Sequence, residues 1–328
     1  MSLLNNHDAL LLDLDGTVWE GGHALPGAVE TIDNSGLTAI YVTNNASRSP
    51  ESVAKMLRNI GLRATSEDVL TSAQAAVMMA QKYLSPGDNV LVLGSESFRE
   101  LVREAGYRVV DSADCQPKAV MQGHSPQTGW AELSEAALSI RNGARYLASN
   151  LDTSLPMERG LMVGNGSMVA AVVSATGVEP ESAGKPEPTM FYQAQELAKS
   201  SAPLSVGDRL DTDIQGAIAA AMPVLHVLTG VSGPEELMHA EVSRRPTYIA
   251  RDLREATLSA TQLQPSSQGG FSATLEGSEV ILRGGEPSAT FVQAVRTVMD
   301  VAWQCEDSSS LKVRAVGRKV EEIMEQWW

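Results

Sequence analysis

The apolar positions of this chain fall into short runs separated by amphipathic stretches, and the first run poses a problem. In ALLLDLDGTVWEGG, Ala9 to Leu12 and then Leu14 form an apolar strand that carries two carboxylates, Asp13 and Asp15, at its end. Buried charge is costly unless it is paired, hydrogen-bonded or bound to a metal. The run is therefore either a strand entering an acidic turn or a site. ALPGAVETIDNSG, bounded by Pro26 and Gly36, predicts a short helix, and LTAIYVTNNAS predicts a second buried strand ending at Thr43. Such a strand–helix–strand opening points to a parallel α/β sheet. Ser49 is placed to cap the next helix, with Pro50 at its first position. Val53, Met56, Leu57 and Ile60 recur at helical spacing, and Gly61 closes the helix.

The alternation continues. DNVLVLGSESFRELVREAGYRVVDSAD reads as strand, helix, strand; PKAVMQGHS and GARYLASNLD read as strands on either side of the helix WAELSEAALSIRNG; MVAAVVSATG is a further short helix. From GKPEPTMFYQAQELAKS the doubly wound pattern returns, with Met190, Ala194 and Leu197 as a helical stripe. APLSVGDRLDTDI is a strand with an acidic end, IQGAIAAAM a helix ended by Pro223, and PVLHVLTG and PTYIARDL the last core strands. TQLQPSSQGG, polar and rich in Gly, Pro, Ser and Gln, reads as a linker. Beyond it, FSATLEGSEVILRGG predicts a hairpin, PSATFVQAVRTVMDVAWQ a helix, and LKVRAVGRKVEEIMEQWW a strand, a helix or both, with Trp327 and Trp328 packing against something. The expected organisation is a parallel-sheet core from residues 1–87 and 183–260, an inserted α/β unit at 88–182, and a small α+β module at 269–328.

Composition narrows the classes. The 328 residues carry a net charge of -15, so a basic nucleic-acid footprint is absent and no nucleic-acid partner is expected. Cys115 and Cys305 sit in no metal or disulfide pattern and are expected as thiols in a reducing compartment. The N-terminus lacks the basic region and cleavage site of a signal peptide, and the most apolar window, SMVAAVVSATG, is about half a membrane span. The expectation is a cytoplasmic protein with no membrane partner. An acidic chain that handled an anion would need a local correction, such as a metal or a placed lysine.

Acidic or polar clusters stand at three strand ends: DLDGT at 13–17, TNN at 43–45 and GDRLDTD at 207–213; Lys185, in GKPEP, precedes a helix. Ligands of open parallel sheets bind at the carboxyl ends of strands. Asp13, Asp15 and Asp208 would repel one another unless a hard cation such as Mg²⁺ bound them. With the cation in place, one carboxylate can attack phosphorus and another can shuttle a proton. The Thr43 hydroxyl and the Lys185 ammonium can hold phosphoryl oxygens. Gly16 permits the sharp turn after the strand.

LLLDLDGTVWEG, YVTNNAS, GKPEP and VGDRLDTDI resemble, in order, the four motifs of the haloacid dehalogenase superfamily, chiefly Mg²⁺-dependent phosphatases with a Rossmann-like core. The middle section, with GARYLASNLD and VGNGSMVAAV, looks like the large α/β cap of the NagD/p-nitrophenylphosphatase branch, and the resemblance covers about residues 7–255. With its C-terminal appendage the chain is most similar to actinobacterial glycerol-3-phosphate phosphatases of that branch. The resemblance implies Asp13 as nucleophile and Asp15 as general acid/base, with Thr43 and Lys185 binding phosphate. It implies Mg²⁺ held by Asp13, Asp208 and the Asp15 carbonyl, with Asp213 acting through a metal-bound water. Asn44 and Asn45 would position the phosphate or the nucleophile, and Asn150 and Asp152 would face the substrate from the cap. The family often dimerises through the cap, which allows a homodimer. Where it often carries an acidic residue, VMQGHSP places His124, a candidate contact to the non-phosphate end of the substrate.

Plainer roles are expected elsewhere. GNGSMVA lacks the last glycine of a nucleotide loop and reads as a structural turn. His7, His23, His226 and His239 show no ligand spacing, and Asp211 reads as a solvated loop residue. Lys118 is a weak candidate for the Schiff-base lysine of a phosphonatase. The leading expectation is a phosphatase of a small phosphorylated metabolite, glycerol 3-phosphate first. The alternatives are p-nitrophenyl phosphate, a nucleotide, a sugar phosphate or pyridoxal phosphate as substrate, or a non-catalytic metabolite-binding protein.

Overall fold

The N-terminal apolar run forms the strand Ala9–Leu12, buried at every position. It pairs in parallel with Pro203–Gly207, which pairs in turn with Val224–Val227 and then Tyr248–Ala250. Near-continuous burial along these strands is what a parallel sheet covered on both faces requires. The computed structural model describes residues 1–157, 159–305 and 307–327. It comprises two compact units, Met1–Ala39 with Ala198–Trp328, and Ile40–Leu197. In the first unit the helix Ala28–Ser35 ends on Gly36 in the left-handed conformation, as its glycine signal predicted. The carboxyl ends of the parallel strands lie along one edge, and there Asp13, Asp208 and the segment after Val227 emerge.

The first unit also contains the C-terminal module. Phe271–Glu276 and Glu279–Gly284 form the expected antiparallel hairpin, and Lys312–Val316 adds in parallel to its second strand. The last stretch is both strand and helix, with Arg318–Met324 as the helix. Trp327 is buried edge-on to Phe291, with ring centroids 6.1 Å apart; Trp328 lies outside the described residues. The expected linker is no loose tether. Ala260–Leu263 is a helical turn with Leu263 buried, and the Gln268 amide donates to Thr297 Oγ1 at 3.1 Å. Composition marked irregular backbone there, but its anchors sit on the helix Phe291–Ala302, about thirty residues downstream. Arg296 of that helix is buried. Its guanidinium donates to Ile249 O at 2.7 Å and pairs with Glu255, bolting the module to the strand Tyr248–Ala250.

In the second unit Tyr41, Val42 and Thr43, the end of the strand Thr38–Thr43, pair in parallel with Val69–Thr71. Ser49 caps the helix Pro50–Asn59 by accepting from the Ser52 amide. The helix Ser72–Ala80 was not read from the pattern because it is apolar on almost every side and has no polar face to mark it. Residues 89–182 contribute a five-stranded parallel sheet in the order Glu181–Ser182, Arg145–Ala148, Ala119–Gln122, Asn89–Leu93, Arg108–Val110. Trp130–Arg141 and Asn165–Thr176 pack over it, with Ala136, Ile140, Val169 and Val172 clustered on Leu91, Val120 and Tyr146. A short hairpin, Ser154–Met157 with Gly160–Val163, was also not anticipated. Among the described residues no helix is long and apolar enough to cross a membrane.

Removing one partner of a buried ion pair strands the other, at a cost of roughly 3–5 kcal/mol. Arg296→Ala should sit at the low end, because Glu255 keeps a solvent-facing side. A thermal melt several degrees below wild type is expected; an unchanged melt would show that this pair does not hold the module.

Candidate active site

The first unit gathers carboxylates. The strand ladder runs one residue beyond Leu12, with the Asp13 amide donating to Val206 O at 3.0 Å. This fixes the Asp13 side chain at the sheet edge. Asp208 follows the neighbouring strand directly and is fully buried. One turn of π-helix, Leu210–Ile214, then returns Asp213, whose carboxylate accepts from the Arg209 amide at 3.1 Å. Such turns recur at functional sites because the extra residue redirects a side chain. Asp13, Asp208 and Asp213 each present an oxygen, and these oxygens lie within 4.8 Å of one another.

The Asp208 carboxylate is held by donors from two loops. Thr17 Oγ1 donates to its Oδ1 at 3.3 Å, and the Val231 amide donates to its Oδ2 at 2.7 Å. Ser232 ties the same loop down, its amide donating to Asp208 O at 3.2 Å and its Oγ accepting from the Leu210 amide at 3.2 Å. Thr229 Oγ1 donates to Gly16 O at 2.6 Å. Gly16 has φ +90°, and a β-carbon on Gly230 would lie 1.9 Å from Asp208 Oδ2, so both positions demand glycine. Thr17 closes the DLDGT cluster but was given no role there, and the 229–232 loop was not singled out in the sequence. The available signal was the run TGVS at a third strand end. Asp15 is exposed and accepts from the Trp19 indole N–H at 2.9 Å.

The second unit gathers the other expected residues around Asn44. Its Nδ2 donates to both Asp152 carboxylate oxygens at 3.2 Å and to Lys185 O at 3.0 Å, while its Oδ1 accepts from the Lys185 amide at 2.9 Å. Asn44 O accepts from Ser72 Oγ at 2.6 Å and from Asn150 Nδ2 at 2.8 Å. Lys185 is buried, with Nζ donating to Val42 O at 3.1 Å. Thr43 Oγ1 accepts from the Asn45 amide at 3.1 Å, and Asn45 Oδ1 accepts from the Ser47 amide and hydroxyl. Asn44, Asn150, Asp152 and Lys185 therefore form one network. His124, half-buried after the strand Ala119–Gln122, lies outside it, and burial lowers its pKa.

The plainer readings have physical content. In GNGSMVA, β-carbons on Gly164 and Gly166 would strike the carbonyls of Asp152 and Leu151 at 2.2 and 2.1 Å, so these glycines admit the Asp152 loop. Asp211 is exposed; burial opposes its charge, but the paired Arg209 guanidinium outweighs this and lowers its pKa. His226 is fully buried, and desolvation pushes its imidazole down to about 4. It is neutral near pH 7. Its Nε2, 3.0 Å from Ser232 O, faces an acceptor and so carries the hydrogen.

Comparison with known proteins agrees with this geometry. Residues 10–108 match the haloacid dehalogenase-like hydrolase family, and residues 182–256 match a second hydrolase-like signature of the same kind. The chain is 42% identical to the D-glycerol 3-phosphate phosphatase of Mycobacterium tuberculosis over 99% of this chain and 95% of that protein. An acid sugar phosphatase of Staphylococcus aureus is 39% identical over 77% of this chain and 98% of its own. The crystal structure of a glycerol phosphate phosphatase from M. tuberculosis in complex with magnesium superposes with a TM-score of 0.94 at 42% identity, covering 100% of this chain and 98% of that one.

Gly230→Ala should push Asp208 aside and weaken Mg²⁺ binding by about tenfold or more, read by calorimetry on a variant with wild-type circular dichroism. Unchanged affinity would show that the contact does not fix the carboxylate. His226 should also leave a mark on stability. Its folded pKa lies below its unfolded value, so the unfolded chain binds the extra proton, and stability falls as pH drops from about 6.5 toward about 4, by about 3 kcal/mol. In EDTA, His226→Asn should show a shallower loss of denaturation free energy across that window; a slope equal to wild type would contradict the buried neutral imidazole.

Proposed function

The chain belongs to the haloacid dehalogenase-like hydrolases, and from that premise we propose that it is a Mg²⁺-dependent phosphatase of a small phosphorylated metabolite, glycerol 3-phosphate. The observation that carries the reading is the triad Asp13, Asp208 and Asp213, whose oxygens converge at a strand edge. Its donors are hard oxygens, the set Mg²⁺ prefers. The substrate is suggested by the 42% identity to a D-glycerol 3-phosphate phosphatase across nearly the whole of both chains.

Bound Mg²⁺ would neutralise the clustered carboxylates and the phosphoryl oxygens. The residues of the chain do the rest. An Asp13 carboxylate oxygen attacks phosphorus while the ester P–O bond breaks, and the bond's electron pair stays on the leaving oxygen. Asp15 gives that oxygen a proton, releasing the alcohol and leaving an aspartyl phosphate on Asp13. Water then attacks phosphorus and yields a proton to Asp15. The bond to Asp13 breaks, restoring its carboxylate and freeing inorganic phosphate. Thr43 and the Lys185 ammonium hold the phosphoryl oxygens through both transfers. The network of Asn44, Asn150 and Asp152 sets the Lys185 backbone. Asn45 shapes the turn after Thr43.

Residues 88–182 act as the cap that selects the leaving alcohol, with His124 as a contact to it. The net charge of -15 argues against a nucleic-acid partner, and the two free cysteines suit the reducing cytoplasm.

The test is phosphate release from glycerol 3-phosphate, p-nitrophenyl phosphate, nucleotides, sugar phosphates and pyridoxal phosphate, with Mg²⁺ or EDTA. Turnover should need Mg²⁺, favour glycerol 3-phosphate, and fall by about 10³-fold or more in Asp13→Asn, since removing a covalent nucleophile removes the route itself. Release that persists in EDTA, or in the variant, would overturn the mechanism.

A further inference from the structure

We propose that Trp19 is a positioning residue that aims the Asp15 carboxyl group, choosing which of its oxygens carries the proton to the leaving group. The proposal rests on the phosphatase reading above. Asp15 is exposed, and an exposed carboxylate on a turn has two side-chain torsions to settle. Its Oδ1 accepts from the Trp19 indole N–H at 2.9 Å.

The donor is fixed from several sides. Trp19 is 4% exposed. Its amide donates to Leu14 O at 3.0 Å, and its carbonyl accepts from the Gly16 amide at 2.8 Å. Trp19–Glu20 also pairs antiparallel with His23–Ala24. Indole and backbone thus close one small loop around the reacting carboxyl group, and ring position and Asp15 backbone cannot drift apart.

The chemistry of the donor completes the argument. An indole N–H only donates and never titrates. With Oδ1 occupied by that donor, a proton on the carboxyl group belongs on Oδ2. In the first half-reaction the Oδ2 proton goes to the ester oxygen as that oxygen keeps the P–O electron pair; in the second, Oδ2 takes a proton from the attacking water. Trp19 touches no reacting atom and acts only through Asp15. None of the three strand-end clusters contained it, because its effect comes from a hydrogen bond across four residues rather than from a reactive side chain.

Trp19→Phe keeps a buried aromatic ring and deletes the N–H. The readout is kcat/KM for two esters, which reports the first transfer alone. Glycerol 3-phosphate has a poor leaving group that needs the proton, whereas p-nitrophenolate departs without one. A general acid contributes about 10²–10⁴-fold, so loss of its aim should lower kcat/KM for glycerol 3-phosphate by about tenfold or more, with a far smaller fall for p-nitrophenyl phosphate. Asp15→Asn should show the same split, larger, and adding Trp19→Phe to it should cost nothing further. Equal losses on both esters, no loss, a gain, or full additivity with Asp15→Asn would each overturn the role of Trp19. If Asp15→Asn itself shows no split, the general-acid reading has failed and the proposal falls with it. Should Trp19→Phe fold poorly, Trp19→Tyr, which keeps an aromatic ring but moves the donor, gives the same comparison.

Discussion

Three carboxylates whose oxygens lie within 4.8 Å of one another are the constraint from which the rest of the first unit follows. At an effective dielectric of about 20, each like-charged pair at that spacing costs about 3 kcal/mol. Two of the three residues are buried as well. The structure answers the cost with fixed dipoles. Amide and hydroxyl donors from Thr17, Val231 and Ser232 surround Asp208, and the loop that brings them is itself held by His226 and Thr229. Close approach of that loop needs glycine at 230. An arrangement that is unfavourable alone becomes a preorganised receptor for a divalent cation, with much of its ordering already done before binding.

The second unit solves a related problem with neutral groups. Lys185 is a buried cation whose ammonium rests on the Val42 carbonyl. Its backbone is clamped at both N–H and C=O by the amide of one residue, Asn44. An amide suits this place because it donates and accepts in one plane. A carboxylate there could not donate to Asp152, and an alkyl chain could do neither.

Much of this was legible in the chain. Parallel strands buried on both faces read as apolar runs, and an acid at the end of such a run is conspicuous, which is why Asp13, Asp15, Asp208 and Asp213 stood out. The helix Ser72–Ala80 was hidden for the opposite reason, since uniform burial erases the contrast that marks a helix. The stretch around Gln268 looked like a tether because its partners, Arg296 and Thr297, are remote in sequence. Trp19, Thr229 and Gly230 escaped notice because they act by hydrogen-bond direction or by lacking a side chain, and neither property shows before the backbone path is known. His226 resembled any core histidine, and only its contact with Ser232 connects it to the acidic centre.

The first unit is assembled from both ends of the chain, and its opening strand pairs with residues nearly two hundred positions later, Ala9 against Pro203. On a ribosome making about 5–20 residues each second, that partner arrives roughly 10–40 s after the strand itself. The interposed unit, Ile40–Leu197, is contiguous and is complete before Pro203 has been made. Order of synthesis and order of completion are therefore reversed for this ladder: one of its strands is made before the whole of the interposed unit, and the other only after it. Through that interval a nascent chain carries one edge of Ala9–Leu12, the edge that takes Pro203–Gly207, without its partner.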